Sequence, residues 1–308
     1  MTRRALITGA EGFVGKTLAA HLQRAKWQVV RAALSGLPGA IACDVTRPEQ
    51  VRAAVKQAGA VTHVFHLAAV SFLPDATQDP VGAFRVNCEG VVHLIAAVRE
   101  FAPEARLIYV GSADAYGPPQ ALPVTEEHPL RPNNPYGISK AAADHYCAYC
   151  ARAFDLDIVR VRPFNHSGPG QDPRFVLPAF ARQIAEIEAE LAPPRVRVGN
   201  LDAKRDFLHV NDVARAYELI ALRGETGAVY NVCSGKARSI AAALDGLCAQ
   251  AAVPIAIAPD PARMRPVDVP EVYGSHDKLT RDTGWTPQTP FEQLLDDLLR
   301  HWRAATRA

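Results

Sequence analysis

The apolar run Ala5-Leu6-Ile7-Thr8 passes directly into Gly9-Ala10-Glu11-Gly12-Phe13-Val14-Gly15, and a helix-periodic segment follows from Lys16 to Arg24. A strand, a glycine turn and a helix in that order constrain the fold more than any other stretch of the chain. The glycines bring backbone N–H groups close to a pyrophosphate, and the helix N-terminus attracts its negative charge. The spacing here is G-x-x-G-x-x-G, where the dinucleotide fingerprint is usually written G-x-G-x-x-G. Gly9, Gly12, Phe13, Val14 and Gly15 are therefore expected to hold a dinucleotide cofactor.

The alternation continues. Gln28-Val29-Val30-Arg31, Ala40-Ile41-Ala42-Cys43, Val61 to Leu67, Arg106 to Val110 and Ile158 to Arg162 read as strands, and a long apolar helix runs from Asn87 to Arg99. Strands alternating with helices indicate an α/β fold, a Rossmann-like doubly wound parallel sheet. It is expected to span residues 1–163, with about 207–232 returning to it. Past Pro163 the strands shorten and loops intervene. Residues 164–206 and about 233–308 are expected to form a smaller α/β substrate-binding lobe. Arg31 stands near the place where an acid usually meets the ribose 2′-OH of NAD, and an arginine there suits a 2′-phosphate. NADP(H) is therefore the expected cofactor, with NAD(H) the alternative. Asp44, followed by Val45, is placed to accept from an adenine amino group or to cap the helix that begins near Thr46. Leu67, Ala68 and Ala69 end a buried strand with small residues against which a flat ring can lie. His66 reads as core, and Asn87 either orders its helix or holds a water near the site.

In an open parallel sheet, ligands bind beyond the carboxyl ends of the strands. Ser112 follows the Arg106–Val110 strand there, placed to donate to a substrate oxygen as charge develops on it. Tyr136 and Lys140 are four residues apart and share one face of a helix. An ammonium near a phenol favours the phenolate and lowers its pKa from about 10. That would make Tyr136 a usable general acid or base for a carbonyl/alcohol pair.

Net charge is +2, with 21% charged residues, so no strong field points to nucleic acid or a membrane. No run of 18 apolar residues marks a membrane span. The N-terminus lacks the long apolar stretch and cleavage site of a leader peptide. Six scattered cysteines, Cys147-x-x-Cys150 included, show no zinc spacing. No metal is expected, and the cytoplasm is the expected compartment.

Together, Gly9-x-x-Gly12-x-x-Gly15, Ser112 and Tyr136-x-x-x-Lys140 resemble the extended short-chain dehydrogenase/reductases that act on nucleotide sugars, over nearly the whole chain. Arg162-Pro-Phe-Asn-His-Ser-Gly-Pro-Gly-Gln171, the segment Gly224 to Gly235 and Pro259-Asp-Pro-Ala-Arg-Met-Arg265 resemble the branch that works on GDP-linked 4-keto-6-deoxy sugars. The resemblance implies reduction of the C4 ketone of such a sugar. Tyr136 would protonate the C4 oxygen, Lys140 would tune that phenol and hold the nicotinamide ribose, and Ser112 would orient the ketone. Asn165 would contact the nucleotide-sugar, and Arg205 and Arg265 its diphosphate. Gly199 to Asp206 and Arg265-Pro266 also resemble the sister 4,6-dehydratases. Those enzymes carry a glutamate where this chain has Asp114, a shorter catalytic candidate preceded by Ala113, and a longer charged segment where Ser167-Gly-Pro-Gly170 stands. Both departures point to the reductase. A dehydratase, a reductase giving the C4-epimeric talose product and a catalytically silent module remain the alternatives. A homodimer through helices over residues 80–100 and 136–154 is a further implication.

Overall fold

The computed structural model describes residues 3–34, 38–264 and 269–307. Seven strands form its main sheet: β1 (Arg4–Thr8), β2 (Gln28–Ala33), β3 (Ile41–Ala42), β4 (His63–His66), β5 (Arg106–Val110), β6 (Ile158–Pro163) and β7 (Val229–Val232). Their order is β7-β6-β5-β4-β1-β2-β3. Every neighbouring pair is parallel. The order reverses between β1 and β4, which opens a crevice at the carboxyl ends of those strands.

Strand β1 lies inside the sheet beside the central β4, and its successive side chains pack on opposite faces. Leu6 packs on one face with Val64, Leu94 and Leu107. Its neighbours Ala5 and Ile7 pack on the other with Leu18, Phe65 and Val161. Both faces are covered, as parallel sheets require. Helices α1 (Phe13–Arg24) and α6 (Val210–Arg223) lie together on the second face, α2 (Pro48–Ala58) and α3 (Gly90–Phe101) on the first.

The helix expected from Asn87 begins earlier. Asp79 caps it, accepting from Gly82 N at 2.9 Å with Pro80 at the first position. It runs through a wide π-turn, Arg85–Glu89, into α3. The stretch Pro80–Phe101 is long and apolar enough, by length and composition, to cross a membrane. In this fold its Val91, Leu94, Ile95 and Val98 lie in the core instead.

A separate apolar core gathers Leu177, Phe180, Ile184, Val196, Leu244 and Leu298. It lies between α5 (Val176–Glu188), α7 (Ile240–Cys248) and α8 (Phe291–Arg307). Residues 204–209 form two short strands rather than one. Lys204–Asp206 pairs with Ala237–Ser239 and Glu271–Val272, and Leu208–His209 pairs with His166–Ser167. Leu279 and Trp285, both fully buried, pack with α6 and β7 against the main sheet rather than in this second core.

Candidate active site

The glycine turn after β1 is built by close approach. Gly9 has φ +69°, and a Cβ there would stand 2.6 Å from Ala68 N; one at Gly15 would stand 2.2 Å from Gly9 O. Gly12 N donates to Gly9 O at 3.1 Å, and Lys16 N to Gly12 O at 2.9 Å. The backbone of the glycine turn therefore faces the crevice without side chains at Gly9, Gly12 and Gly15, the setting a pyrophosphate needs.

A cavity of about 490 Å³ opens at this turn. Gly9, Gly12, Phe13, Val14, Gly15, Leu67 and Ala69 line one end, and Ser112, Asp114, Tyr136 and Lys140 the other. Four expected cofactor contacts are not on its wall. Arg31 lies on β2 and donates to Pro38 O at 3.0 Å. Asp44 is used locally, its Oδ1 accepting from Thr46 N at 2.9 Å and Thr46 Oγ1 at 2.7 Å. Val45 turns its side chain into the core, where it packs on Gly90. Ala68 lies directly beneath Gly9, with its backbone against the turn.

Helix α4 (Pro135–Ala153) carries Tyr136 and Lys140. Asn134 caps it, accepting from Gly137 N at 2.8 Å, and Pro135 fills the first position. Gly137 lets the helix settle on the turn after β5, where a Cβ would come within 2.5 Å of Asp114 O. That turn is braced from below. Arg162 donates to Tyr116 Oη at 3.0 Å and to both Asp144 oxygens, and Tyr116 donates to Asn231 at 2.8 Å.

The electrostatics differ from the sequence expectation. Burial pushes the Tyr136 phenol well above its ordinary pKa, and the Asp114 charge adds to that rise; the Ser112 hydroxyl, a hydrogen-bond partner, pulls part of it back. Lys140 is not among the groups that move it. Its ammonium donates to Val110 O at 2.9 Å and lies 5.6 Å from the Tyr109 ring centroid. Burial itself lowers the Lys140 pKa to about 8. The site as folded keeps the phenol protonated. His66 is neutral core: burial and the charge of Lys140 drive its pKa to about 3, and its Nδ1 shares a 2.7 Å hydrogen bond with Thr8.

Asn87 resolves into an ordering role. Its Oδ1 accepts from Val70 N at 2.8 Å, and its Nδ2 donates to Val70 O at 3.1 Å and to Ser139 Oγ at 3.0 Å. It thereby ties the loop after β4 to the helix of Tyr136 and Lys140. The π-turn turns this side chain inward, a feature invisible to a 3.6-residue period.

A second cavity of about 220 Å³ shares the Tyr136 and Asp114 wall and is lined by Asn165 and Arg205. Arg205 donates to Lys204 O at 2.8 Å and Val269 O at 2.7 Å. Arg265 lies outside the described residues. Sequence reasoning missed Phe72, His166, Arg174, Phe175 and Tyr217, all on the larger cavity's wall. His166 stacks on Phe13, centroids 6.3 Å apart. Its place beside Asn165, in the loop after β6, was the signal available. Tyr217 lies within an ordinary amphipathic helix and gave none.

Residues 5–233 match the NAD dependent epimerase/dehydratase family. The GDP-6-deoxy-D-mannose reductase of Pseudomonas aeruginosa is 37% identical over 311 residues, spanning 100% of this chain and 99% of that protein. The GDP-6-deoxy-D-talose 4-dehydrogenase of Aggregatibacter actinomycetemcomitans is 28% identical over 288 residues, 91% of this chain and 90% of that one. Among solved structures, RMD from Pseudomonas aeruginosa complexed with NADPH aligns with TM-score 0.89 at 36% identity, covering 99% of this chain and 100% of that one.

Proposed function

The chain belongs to the NAD dependent epimerase/dehydratase family, and we propose that it reduces the C4 ketone of GDP-4-keto-6-deoxy-D-mannose to give GDP-D-rhamnose. The observation that carries this reading is Ser112, Tyr136 and Lys140 on one cavity wall with the glycine turn, in a chain similar from end to end to a GDP-6-deoxy-D-mannose reductase. The similar structure was solved with NADPH, which supports NADPH as the reductant. A bound nicotinamide supplies the hydride.

In this reading Tyr136 gives its proton to the C4 oxygen as that oxygen becomes an alkoxide. A phenol kept protonated by burial and by Asp114 is in the correct form for the reducing direction. Ser112 turns its hydroxyl to the ketone and stabilises the developing charge. Lys140, charged below its depressed pKa, holds the ribose hydroxyls, while the Ser112 hydroxyl favours the phenolate left after proton transfer. Asn165 and Arg205, on the smaller cavity, take the sugar and its diphosphate, and a guanidinium suits the latter.

Residues 1–163 with about 207–232 serve as the cofactor lobe in this reading, joined by the segment around Leu279 and Trp285, and 164–206 with the rest of about 233–308 serve as the sugar lobe. A homodimer is part of it too. Val81, Phe84, Ile138, Tyr149 and Phe154 are exposed by 60, 40, 49, 52 and 37%, along the helices a four-helix interface would use. The cysteines of the described residues are all free, as suits a cytoplasmic setting.

The talose-type relative favours a second reading, delivery of hydride to the other face of C4 with GDP-6-deoxy-D-talose as product. Incubation with GDP-4-keto-6-deoxy-D-mannose and NADPH, with NMR of the product, tests both. Cofactor oxidation with a rhamnose-configured product is expected. A talose-configured product selects the second reading, and no oxidation with this keto sugar overturns both.

A further inference from the structure

Two segments on the wall of the larger cavity are joined by a clasp. One half comes from the loop after β4 and the short helix Leu73–Gln78, the other from the loop before α5. Arg174 Nη1 donates to both Asp75 oxygens, at 3.1 and 2.9 Å, across 99 residues of sequence. Its Nε donates to Asp172 Oδ2 at 2.9 Å, and its backbone N to Asp172 Oδ1 at 2.8 Å, so the guanidinium is aimed before it crosses. Its carbon centre lies 4.5 Å from the Phe72 ring centroid. Phe72 in turn meets Phe175 edge to face, centroids 5.3 Å apart.

Phe72, Asp75, Arg174 and Phe175 all line the cavity that contains the glycine turn and Tyr136. Phe72, Arg174 and Phe175 also line the smaller cavity, so the clasp crosses where the two meet. We propose that the Asp75–Arg174 pair with Phe72 and Phe175 is a gate: the two loops must part for a nicotinamide dinucleotide to enter or leave, and their closure holds the cofactor within each turnover, opening again for the oxidised form to exchange.

The chemistry suits a gate better than a fixed brace. The ion pair is solvent-exposed, at 51 and 45% for Arg174 and Asp75, so the contact is weak enough to break thermally. The aromatic pair beneath it is apolar and closes over the opening when the charges meet. One half is a loop and a short helix following β4, the other a loop leading into α5, so opening need not disturb the sheet.

A gate and a binding contact leave different kinetic signatures. Opening a gate speeds entry and exit together, whereas losing a contact to the ligand speeds exit alone. The test is stopped-flow fluorescence of NADPH association and dissociation with the full chain, comparing wild type with Asp75→Asn and Phe72→Ala. Both rate constants are expected to rise by roughly three- to tenfold, with Kd held within about twofold. The charge-reversed double variant Asp75→Arg/Arg174→Asp is expected to bring the rates back toward wild type, which a merely misfolded loop would not do. A rise in the dissociation rate alone, or no change in either rate with wild-type-like melting, overturns the proposal. The readout needs no sugar substrate. Failure of the keto-sugar assay and failure of the gate are thus separate results.

Discussion

Ser112 and Asp114 hold each other. The Asp114 backbone N–H donates to Ser112 Oγ at 3.1 Å, while the Ser112 hydroxyl donates to Asp114 Oδ2 at 3.0 Å. The hydroxyl proposed to meet a ketone is thus parked on a carboxylate that also raises the pKa of Tyr136. Removing that negative charge must lower the Tyr136 pKa. Reduction needs the phenol protonated, so in Asp114→Asn the alkaline limb that Tyr136 contributes to kcat, above the one set by Lys140 near pH 8, is expected to move to lower pH. A pH–rate profile of keto-sugar reduction checks this. A limb that stays in place would show that the carboxylate does not govern the phenol.

Tyr136→Phe removes the only proton that the proposed mechanism delivers. The loss in kcat is expected to be roughly 10²–10⁴-fold, the usual range for general acid catalysis. NADPH affinity should change little, because a phenylalanine keeps the ring in place. Steady-state kinetics and a fluorescence titration of the cofactor separate the two effects.

Lys140 is a case where function opposes stability. Burial holds its pKa at about 8, against about 10.4 for an unfolded lysine. Between those values the unfolded chain binds the extra proton, so stability rises with pH across that window, and below pH 8 the buried ammonium carries its full cost. Lys140→Met should therefore melt higher than wild type at pH 7, by roughly 2–4 °C. The gap should narrow as pH climbs past 8. Thermal melts of the protein alone at stepped pH read this out, and activity should be lost.

Asn87→Ala strands the N–H and C=O of Val70, both partnered only by that side chain in the hydrogen bonds described. Unsatisfied backbone groups of this kind cost about 1–3 kcal/mol each. Val70 is half-buried on the cavity wall, so water offsets part of that cost and a total of roughly 1–3 kcal/mol is expected by urea denaturation, with a fall in kcat because Val70 lines the cavity and Ser139 adjoins Lys140. Asn87→Asp keeps an acceptor for Val70 N and should lose less.

Much of the fold was legible because its signals are local. The β1 turn, the strand-end position of Ser112 and the helical pairing of Tyr136 with Lys140 each follow from a few adjacent residues. Two kinds of information were not. Electrostatic direction depends on burial, and the sequence expectation for Tyr136 weighed its lysine but not the desolvation that outweighs it. Bridges such as Asp75–Arg174 join segments far apart in the chain, and neither residue stands out within its own loop. Arg31, Asp44 and Val45 show a related gap. Counting from the glycines finds the right strands, but not whether a side chain turns toward the cavity, a neighbouring carbonyl or the core.

Gly137 separates the tyrosine from the lysine and rests against the carbonyl of Asp114. The reach between the proton donor and the serine turn is consequently fixed by main chain meeting main chain, not by any rotatable group. A single methyl at position 137 would act as a spacer, tilting the whole start of α4 outward and lengthening every distance on which proton delivery depends. In the proposed reduction, register between acid and ketone is kept by an atom the sequence leaves out.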